Sequence, residues 1–338
     1  MRNCLSPVLC ALALLLGACA PAGAPQPTAK PTEAPKAGAS PATSPAAAAP
    51  TAAAQPTAAK PAEGAKPTVT MGSTNFTEQI ILAELYGQVL EANGYQVDRR
   101  LNLGNREIVF PALEKGDIAM YPEYLATLLA FVTKGDTKEA DAATAQQKLQ
   151  DALKPKGISV LDFAPAVDTN AFAVTRETAD KYKLSKMSDL APVADQLVLG
   201  GPPECPQRPF CQPGIEQVYG AKFKDFKPLD AGGPLTVAAL DGKQVDVALL
   251  FSTDAVIAQK DFVVLEDDKK LQAADNVAPV VRDDLLNKAP ADFKTLVNGL
   301  SAKLTTEELT GLNKQVGVDK KEPRDVAGAW LKAQGLVK

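Results

Sequence analysis

The 338-residue chain contains no histidine, and this absence limits the chemistry available to it. Histidine is the commonest general base of enzymes and the commonest metal ligand of proteins. Its absence excludes Ser-His-Asp and Cys-His nucleophilic sites and the usual zinc sites. The chain also has no GxGxxG segment after a predicted strand and no P-loop. We therefore predict a binding protein, not an enzyme, with no metal site and no cofactor.

Basic residues are too few in the folded part of the chain to favour an anionic partner. Residues 1–66 carry five basic and two acidic residues, so the rest of the chain holds 31 basic and 38 acidic residues, a net charge of −7. A moderately acidic domain is a poor candidate for binding nucleic acid or anionic lipid. We predict a monomer whose partners do not include nucleic acid.

No apolar run is long enough to cross a bilayer as a stable helix. The longest, Leu5 to Leu16, follows Arg2 and has the length of the core of an export signal. It ends in Leu-Gly-Ala-Cys, which is similar to a bacterial lipobox and makes Cys19 a predicted lipid anchor. An ordinary secretory signal cut after Ala18 or Ala20 is the alternative. We assign residues 1–19 to a signal peptide and place the protein on the outer face of the cytoplasmic membrane.

The segment after the signal lacks the residues that build a core. Residues 20–66 are rich in Ala, Pro and Thr and contain no aromatic residue and no Leu, Ile or Val. Such a segment cannot bury apolar surface, and its recurrent prolines oppose a helix. We predict a disordered, semi-rigid tether that carries the domain away from the membrane.

Cysteine is also scarce beyond the signal, where only Cys205 and Cys211 remain. An even pair in an exported protein, separated by a proline-rich loop of five residues, predicts a disulfide bond. Two free thiols are the alternative reading of the same pair.

The folded part alternates short apolar strands with amphipathic helices. Residues 68–72 predict a buried strand, and Ile81, Leu85 and Val89 mark the inward face of the helix that follows. Asn75 is the predicted N-cap of that helix, with Glu78 as its capping-box partner. The alternation predicts an α/β fold with mostly parallel sheets.

Two segments of the chain resemble one another. When Leu113 is aligned with Leu240, each segment reads as a helix end, a polar turn, a strand and an aromatic residue, which is Tyr124 in one and Phe251 in the other. Helix–turn–strand units are common, and chance is the alternative explanation. A real repeat would place one aromatic at the carboxyl end of a strand in each of two lobes, where ligands of open α/β sheets bind.

The motifs of the folded part resemble those of a known family. The segments "GSTNFTEQIILAELYGQVLEANGY" and "LNLGNREIVFPALEKGDIAMYPEYLAT", with "PPE…R…PG", "STD" and "APVVR" further on, are similar to substrate-binding proteins of osmoprotectant ABC importers. These bind glycine betaine, choline, carnitine and related quaternary amines. The resemblance covers residues 68 to 337 and implies partnership with an ABC permease.

The resemblance also implies a fold. It predicts an α/β, two-lobed periplasmic-binding-protein fold of type II, with two crossover strands, a closing hinge and a ligand cleft between the lobes. Lobe one would comprise residues 67–169 plus 274–338, and lobe two residues 170–273.

Matching positions to the family predicts the ligand-contacting residues. These are Gln79, Tyr124, Thr127, Asp168, Asn170, Arg208, Phe251, Asp275 and Asn276. The resemblance makes Tyr124 and Phe251 the aromatic walls of a cage for a quaternary ammonium group. It implies that Arg208 holds a ligand carboxylate and that Asp168, near the hinge, faces the cation.

Three departures from the family pattern make the predicted cage poor in aromatics and rich in acids. Asn170 stands where relatives often have a third tyrosine, Asp275 and Asn276 where they have an aromatic and a polar residue, and Thr74 where they often have a lysine. Such a pocket suits a net cation, whereas Arg208 suits a zwitterion. A same-fold receptor for an amino acid or another polar amine, and a lipid-anchored enzyme with a carboxylate pair, remain the alternatives.

Overall fold

The computed structural model of the protein describes residues 66–135, 141–273 and 275–338. The predicted signal peptide, Cys19 and the predicted tether up to residue 65 lie outside the described residues. Within the described part of the chain, no helix has both the length and the apolar character needed to span a membrane.

The first part of the chain supplies four strands and four helices. They are β1 (Val69–Gly72), α1 (Thr77–Ala92), β2 (Val97–Arg100), α2 (Arg106–Lys115), β3 (Met120–Tyr124), α3 (Leu125–Thr133), α4 (Ala142–Leu153) and β4 (Ile158–Val160). The predicted strand over residues 68–72 is confirmed. Helix α4 begins at Ala142, where the Asp141 side chain accepts a hydrogen bond from the Thr144 N–H at 2.9 Å. Residues 136–140 lie outside the described residues.

The second part supplies five further strands. Its elements are β5 (Asn170–Val174), α5 (Arg176–Tyr182), β6 (Val198–Gly201), α6 (Gln212–Gly214), β7 (Asp225–Pro228), α7 (Pro234–Asp241), β8 (Val247–Phe251), α8 (Val256–Gln259) and β9 (Val263–Val264). The chain then returns through β10 (Val277–Arg282), α9 (Asp283–Lys288), α10 (Asp292–Ser301), α11 (Thr306–Gly317) and α12 (Pro323–Ala333).

The strands form two five-stranded sheets of the same design. Their orders are β2-β1-β3-β10-β4 and β7-β6-β8-β5-β9. In the first sheet β1 runs parallel to β2 and β3, and β10 runs antiparallel to β3 and β4. The second sheet repeats this pattern around β6 and β5. The prediction of mostly parallel sheets is confirmed, because four strands of each sheet run in one direction. Only the strand that enters from the other sheet, β10 or β5, runs in the opposite direction.

Each sheet lies between two hydrophobic clusters, since neighbouring residues of a strand point to opposite faces. In β3, Met120 packs into a cluster with α1 and the C-terminal helices, while Tyr121 packs into a second cluster with α2, α3 and α4. The side chains of the second sheet divide in the same way between two clusters. Each sheet therefore has its own core.

Two extended segments join the sheets. They pair in antiparallel fashion at Val167 and Asn276, and the Asp168 N–H donates to the Asp275 carbonyl oxygen at 3.1 Å. We call these two adjacent crossings the hinge segments, and rotation of the halves about them stays a prediction. This pairing also brings Asp168 and Asp275 side by side.

The internal repeat has a structural counterpart. Tyr124 is the last residue of β3 and Phe251 the last residue of β8, and these strands hold the same position in their sheets. Leu113 and Leu240, the residues of the alignment, are both buried near the ends of α2 and α7. The repeat therefore relates two equivalent strand ends.

The predicted capping box of α1 is wrong. The helix begins at Thr77 after Phe76, which occupies the N-cap position and makes no side-chain cap. The Glu78 side chain is only 3 % exposed. Its carboxylate accepts hydrogen bonds from buried donors of other elements. The spacing of Asn75 and Glu78 fits a capping box, but the Glu78 carboxylate is hydrogen-bonded to Tyr124, Thr253 and Asn313 instead.

Candidate ligand-binding cleft

A cleft of about 770 Å³ opens between the two sheets. Tyr124 and Phe251, at the equivalent strand ends, both line it. In open α/β sheets, ligands bind beyond the carboxyl ends of the strands, and here two such edges face one another. The volume is in the range of pockets that enclose small organic molecules.

Three aromatic rings lie in a row along one wall of the cleft. The Phe76 ring lies between those of Tyr124 and Phe251, with centroid distances of 6.2 Å and 4.9 Å and interplanar angles of 22° and 24°. All three residues line the cleft. Aromatic faces carry partial negative charge and attract cations. We call Phe76, Tyr124 and Phe251 the aromatic wall.

Behind this wall, Glu78 of α1 accepts three short hydrogen bonds. The Tyr124 hydroxyl donates to Oε1 at 2.6 Å, and the Thr253 hydroxyl and Asn313 amide each donate to Oε2 at 2.6 Å. All three donors are neutral groups. Burial raises the pKa of the Glu78 carboxyl, and these hydrogen bonds partly oppose that rise.

Two further carboxyl groups lie beside Glu78. Asp168 accepts hydrogen bonds from the Ser252 hydroxyl at 3.0 Å and the Thr253 N–H at 3.1 Å. Burial, and then the charge of Glu78, raise the pKa of Asp168 well above its usual range. Burial likewise raises the pKa of Asp254 to about 7. We call Glu78, Asp168 and Asp254 the acidic floor.

No ion pair to a lysine or arginine joins any member of the acidic floor within the described residues. Nearby, the Arg106 guanidinium is committed to Glu123, to which its Nε and Nη2 each donate at 2.7 Å. The floor is therefore a group of three acids, of which Glu78 and Asp168 are buried and Asp254 is half-buried, without a basic partner among the described residues. Such a group attracts either protons or an external cation.

Asp275 and Thr127 lie at the start of α3. One Asp275 carboxylate oxygen accepts from the N–H groups of Ala126 and Thr127, at 2.9 Å and 3.0 Å, and so caps this helix from a distant part of the chain. The Thr127 hydroxyl accepts a hydrogen bond from Arg106 at 2.7 Å. Burial raises the pKa of Asp275 to about 6, although the Thr127 N–H and the Arg106 charge oppose the rise.

Arg208 lies at the open side of the cleft and is paired with acids of both halves. Its guanidinium lies 3.0 Å from Glu107 of α2 and 3.3 Å from Glu204. The Asn105 amide donates to Glu204 at 3.2 Å. The Cys205–Cys211 disulfide closes the loop that carries Arg208. We call Glu107, Glu204 and Arg208 the cleft mouth.

Asn170 and Asn276 occupy different settings. The Asn170 amide lines the cleft and donates to the Phe210 carbonyl oxygen at 2.9 Å. The Asn276 amide donates to the Ala164 carbonyl oxygen at 2.9 Å, within the hinge. Asn276 is not among the residues that line the cleft.

Several buried polar atoms along the cleft have no hydrogen-bond partner among the described residues. They are the Thr74 hydroxyl oxygen, both polar atoms of the Gln79 amide and the Asn105 amide oxygen. Buried polar groups are almost always satisfied by protein, water or ligand. These atoms therefore mark positions where a polar group of a guest molecule, or its water, can bind.

The structure brings together eight of the nine predicted site residues and leaves out Asn276. That these eight contact a ligand stays a prediction. Sequence reasoning missed Phe76, Glu78 and Asp254. Phe76 could have been found from its place beside Asn75 at the start of α1, whereas the capping-box spacing concealed the role of Glu78.

Two α/β lobes of equal topology, joined by two crossing segments around a polar and aromatic cleft, define a two-lobed solute-binding protein of the type II periplasmic class. The family model for the substrate-binding domain of ABC-type glycine betaine transport systems matches residues 67–333. The chain belongs to this family, whose members are the solute-binding components of transporters. The predicted family and fold are confirmed.

Individual relatives agree with this assignment. The chain is 30 % identical over 282 residues to the glycine betaine-binding protein YehZ of Escherichia coli, covering 80 % of this chain and 92 % of the relative. It is 28 % identical to the ergothioneine transport permease/ergothioneine binding protein EgtU of Helicobacter pylori, covering 77 % of this chain and 46 % of that longer protein. The crystal structure of a glycine betaine/carnitine/choline ABC transporter protein superposes with a TM-score of 0.63 at 31 % identity, covering 80 % of this chain and 99 % of the other.

Proposed function

We propose that this chain binds a small quaternary amine in its cleft and delivers it to the permease of an ABC importer. The observation that carries the proposal is the aromatic wall beside an acidic floor that has no basic partner in the part of the chain that the structure describes. A quaternary ammonium group cannot donate an ordinary hydrogen bond, so it is held by aromatic faces and by negative charge. The wall and the floor supply both.

The proposed contacts follow from this arrangement. Tyr124 and Phe251 present their rings to the methyl groups, and Asp168 supplies negative charge from the hinge side. Gln79 and Asn170 hydrogen-bond the polar end of the ligand. Thr127 and Asp275 shape the pocket, since their own polar groups already hold α3 and Arg106.

Within the class of quaternary amines, we propose that a net cation such as choline binds more tightly than a zwitterion such as glycine betaine. Arg208, the residue matched to a carboxylate contact, is already paired with Glu107 and Glu204. A ligand carboxylate would have to displace these partners and would also approach the acidic floor. A choline-like alcohol meets neither obstacle.

We further propose how the protein works in the cell. Lipidated Cys19 holds it on the outer face of the cytoplasmic membrane, and residues 20–66 tether the domain. One lobe comprises residues 67–169 plus 274–338, and the other comprises residues 170–273. The two lobes rotate as rigid bodies about the paired crossings and close on the ligand. The closed monomer then docks on the permease.

Isothermal titration calorimetry of the purified chain with choline, glycine betaine, carnitine and ectoine tests the ligand proposal. We expect saturable binding of at least one trimethylated amine, with choline tighter than glycine betaine. Flat heats with all four compounds would remove the ligand assignment. The order of affinities tests the preference for a net cation separately.

A receptor for a primary amine, such as an amino acid, is the second candidate. The unpartnered acceptor oxygens of Thr74, Gln79 and Asn105 favour it, because they could accept hydrogen bonds from an ammonium group. Competition separates the two candidates. Displacement of bound choline by amino acids at lower concentration than by other trimethylated amines would favour the second.

A further inference from the structure

Glu78 links Tyr124 of the aromatic wall to both halves of the molecule, although it does not itself line the cleft. Its donors are Tyr124 at the end of β3, Thr253 in the segment after β8, and Asn313 in α11. Thr253 follows a strand of the second sheet, whereas the other two donors belong to the half that contains the first sheet. One carboxylate therefore connects both halves of the protein with a ring of the aromatic wall.

The bond from Tyr124 has a direct electrostatic consequence. A hydroxyl that donates to a carboxylate at 2.6 Å is strongly polarised, because charge-assisted hydrogen bonds are shorter and stronger than neutral ones. The bond fixes the orientation of the ring, and polarisation adds electron density to its face. A cation at that face is then attracted both by the ring and by the carboxylate behind it.

We propose that Glu78 is a specificity-determining positioning residue, whose carboxylate orients Tyr124 and supplies the negative charge by which the cleft prefers a quaternary cation to a neutral molecule of the same shape. This inference rests on the proposed function. It assigns the preference for a charged ligand to Glu78, a residue behind the aromatic wall. Glu78 is not among the ligand-contacting residues predicted from the sequence.

Three titratable groups face Glu78, whose pKa is raised by burial and lowered in part by the hydrogen bonds that it makes. They are Tyr124 from β3, Asp168 from the hinge segment and Asp254 from the segment after β8, while Thr253 and Asn313 are neutral. The nearby Arg106 is neutralised by Glu123. Burial raises the pKa of both Glu78 and Asp168, so a cation that favours their ionised forms should release protons when it binds.

The substitution Glu78→Gln tests the proposal with little change in shape. The glutamine oxygen can still accept from Tyr124. Its NH₂ group can donate to the Asn313 amide oxygen after that amide flips, because this oxygen has no partner among the described residues. The control is Glu84→Gln on the same helix. Glu84 is 5 % exposed, does not line the cleft, and forms an ion pair with Arg99 in which the two charged atoms are 2.9 Å apart.

The readout compares choline with its neutral carbon analogue, in which a tert-butyl group replaces the trimethylammonium group. We expect Glu78→Gln to weaken choline binding about tenfold or more and to change binding of the neutral analogue less than about threefold. Glu84→Gln should leave both affinities unchanged. Titrations in buffers of different ionisation enthalpy should also show proton release on choline binding, reduced in Glu78→Gln and retained in Glu84→Gln.

Three outcomes would overturn the inference. An equal loss of affinity for both compounds in Glu78→Gln would assign Glu78 a structural role only. Unchanged choline affinity in Glu78→Gln would show that the charge of Glu78 does not act on the ligand. Unchanged proton release in this variant would show the same. Failure of the unsubstituted chain to bind any quaternary amine is a different result, because it would remove the proposed function itself.

Discussion

Two buried glutamates of the first lobe have opposite electrostatic settings. Glu123 is 1 % exposed and receives two hydrogen bonds from Arg106 and one from the Tyr121 hydroxyl. Glu78 is 3 % exposed and receives three hydrogen bonds from neutral donors. The residue type and the burial are the same, but among the described residues Glu123 has a cation to balance its charge and Glu78 has none.

This difference separates a structural carboxylate from one that can act on a ligand. The Arg106–Glu123 pair is closed, because the charge of each partner is balanced by the other. The acidic floor is open, since its charge is balanced only by protons or by a guest. The proposed preference for a cation depends on this second setting.

The largest expected effect comes from breaking the closed pair. Arg106→Leu leaves Glu123 buried without a counter-charge and should lower the free energy of unfolding by about 3–5 kcal/mol. Glu78→Gln removes a charge that has no counter-charge and should cost much less. Urea denaturation of both variants measures the difference, and equal losses of stability would contradict the contrast between the two glutamates.

The aromatic wall is tested by removing one ring while keeping its apolar volume. Phe251→Leu should weaken choline binding about tenfold, because the cation loses one desolvated aromatic face. Phe262→Leu, at a buried position of the same lobe away from the cleft, is the matched control for stability. If both variants bind choline equally well, Phe251 is a packing residue only.

Asp254 of the acidic floor, together with Asp275, should make the empty protein less stable as pH rises from 5 to 7.5. Burial raises the pKa of Asp254 to about 7 and of Asp275 to about 6, above the usual value near 4. The folded state then binds more protons than the unfolded state in this window, so the free energy of unfolding falls as these groups ionise. Acids whose pKa is lowered in the folded protein, such as Glu91, change the free energy of unfolding only at lower pH. Thermal midpoints of the empty protein measure the effect.

Asp254→Asn provides the control for this pH dependence. It removes one of the titrating groups and should flatten the fall of the thermal midpoint between pH 6 and 7.5. Saturating choline should also flatten the fall, because the cation favours the ionised floor. A midpoint that rises steadily with pH over this range in the empty protein would contradict the account of the floor.

The smallest expected effect is at the cleft mouth, where the charges are matched and partly exposed. The Arg208 and Glu107 side chains are 31 % and 39 % exposed, so their ion pair contributes little to stability. Glu107→Gln should remove one of the two acids that pair with Arg208 and raise affinity for glycine betaine about threefold relative to choline. An unchanged ratio of the two affinities would mean that Arg208 does not reach a ligand carboxylate.

Much of the fold could be predicted from the sequence because it depends on local periodicity and on the internal repeat. The inward face of α1 and the equivalence of Tyr124 with Phe251 both follow from patterns along the chain. The direction of β5 and β10 in their sheets does not, since it depends on where the chain crosses between lobes. Composition and alternation alone predict parallel neighbours.

The candidate site was harder to predict where one residue could serve two roles. Glu78 has the spacing of a capping partner, and only the tertiary donors Tyr124, Thr253 and Asn313 decide otherwise. Asn276 directly follows Asp275 in the sequence, yet its amide faces the hinge. Phe76 enters the aromatic wall because α1 starts one residue later than its Asn75 cap signal predicts.

A crystal structure of the protein with choline would test the central claim most directly. We predict the choline nitrogen inside the cleft, within about 6 Å of the ring centroids of Tyr124 and Phe251 and on the side of the acidic floor. Choline bound elsewhere, or a cleft that stays empty at saturating choline, would contradict the claim that an aromatic wall over unpaired acids captures a quaternary cation.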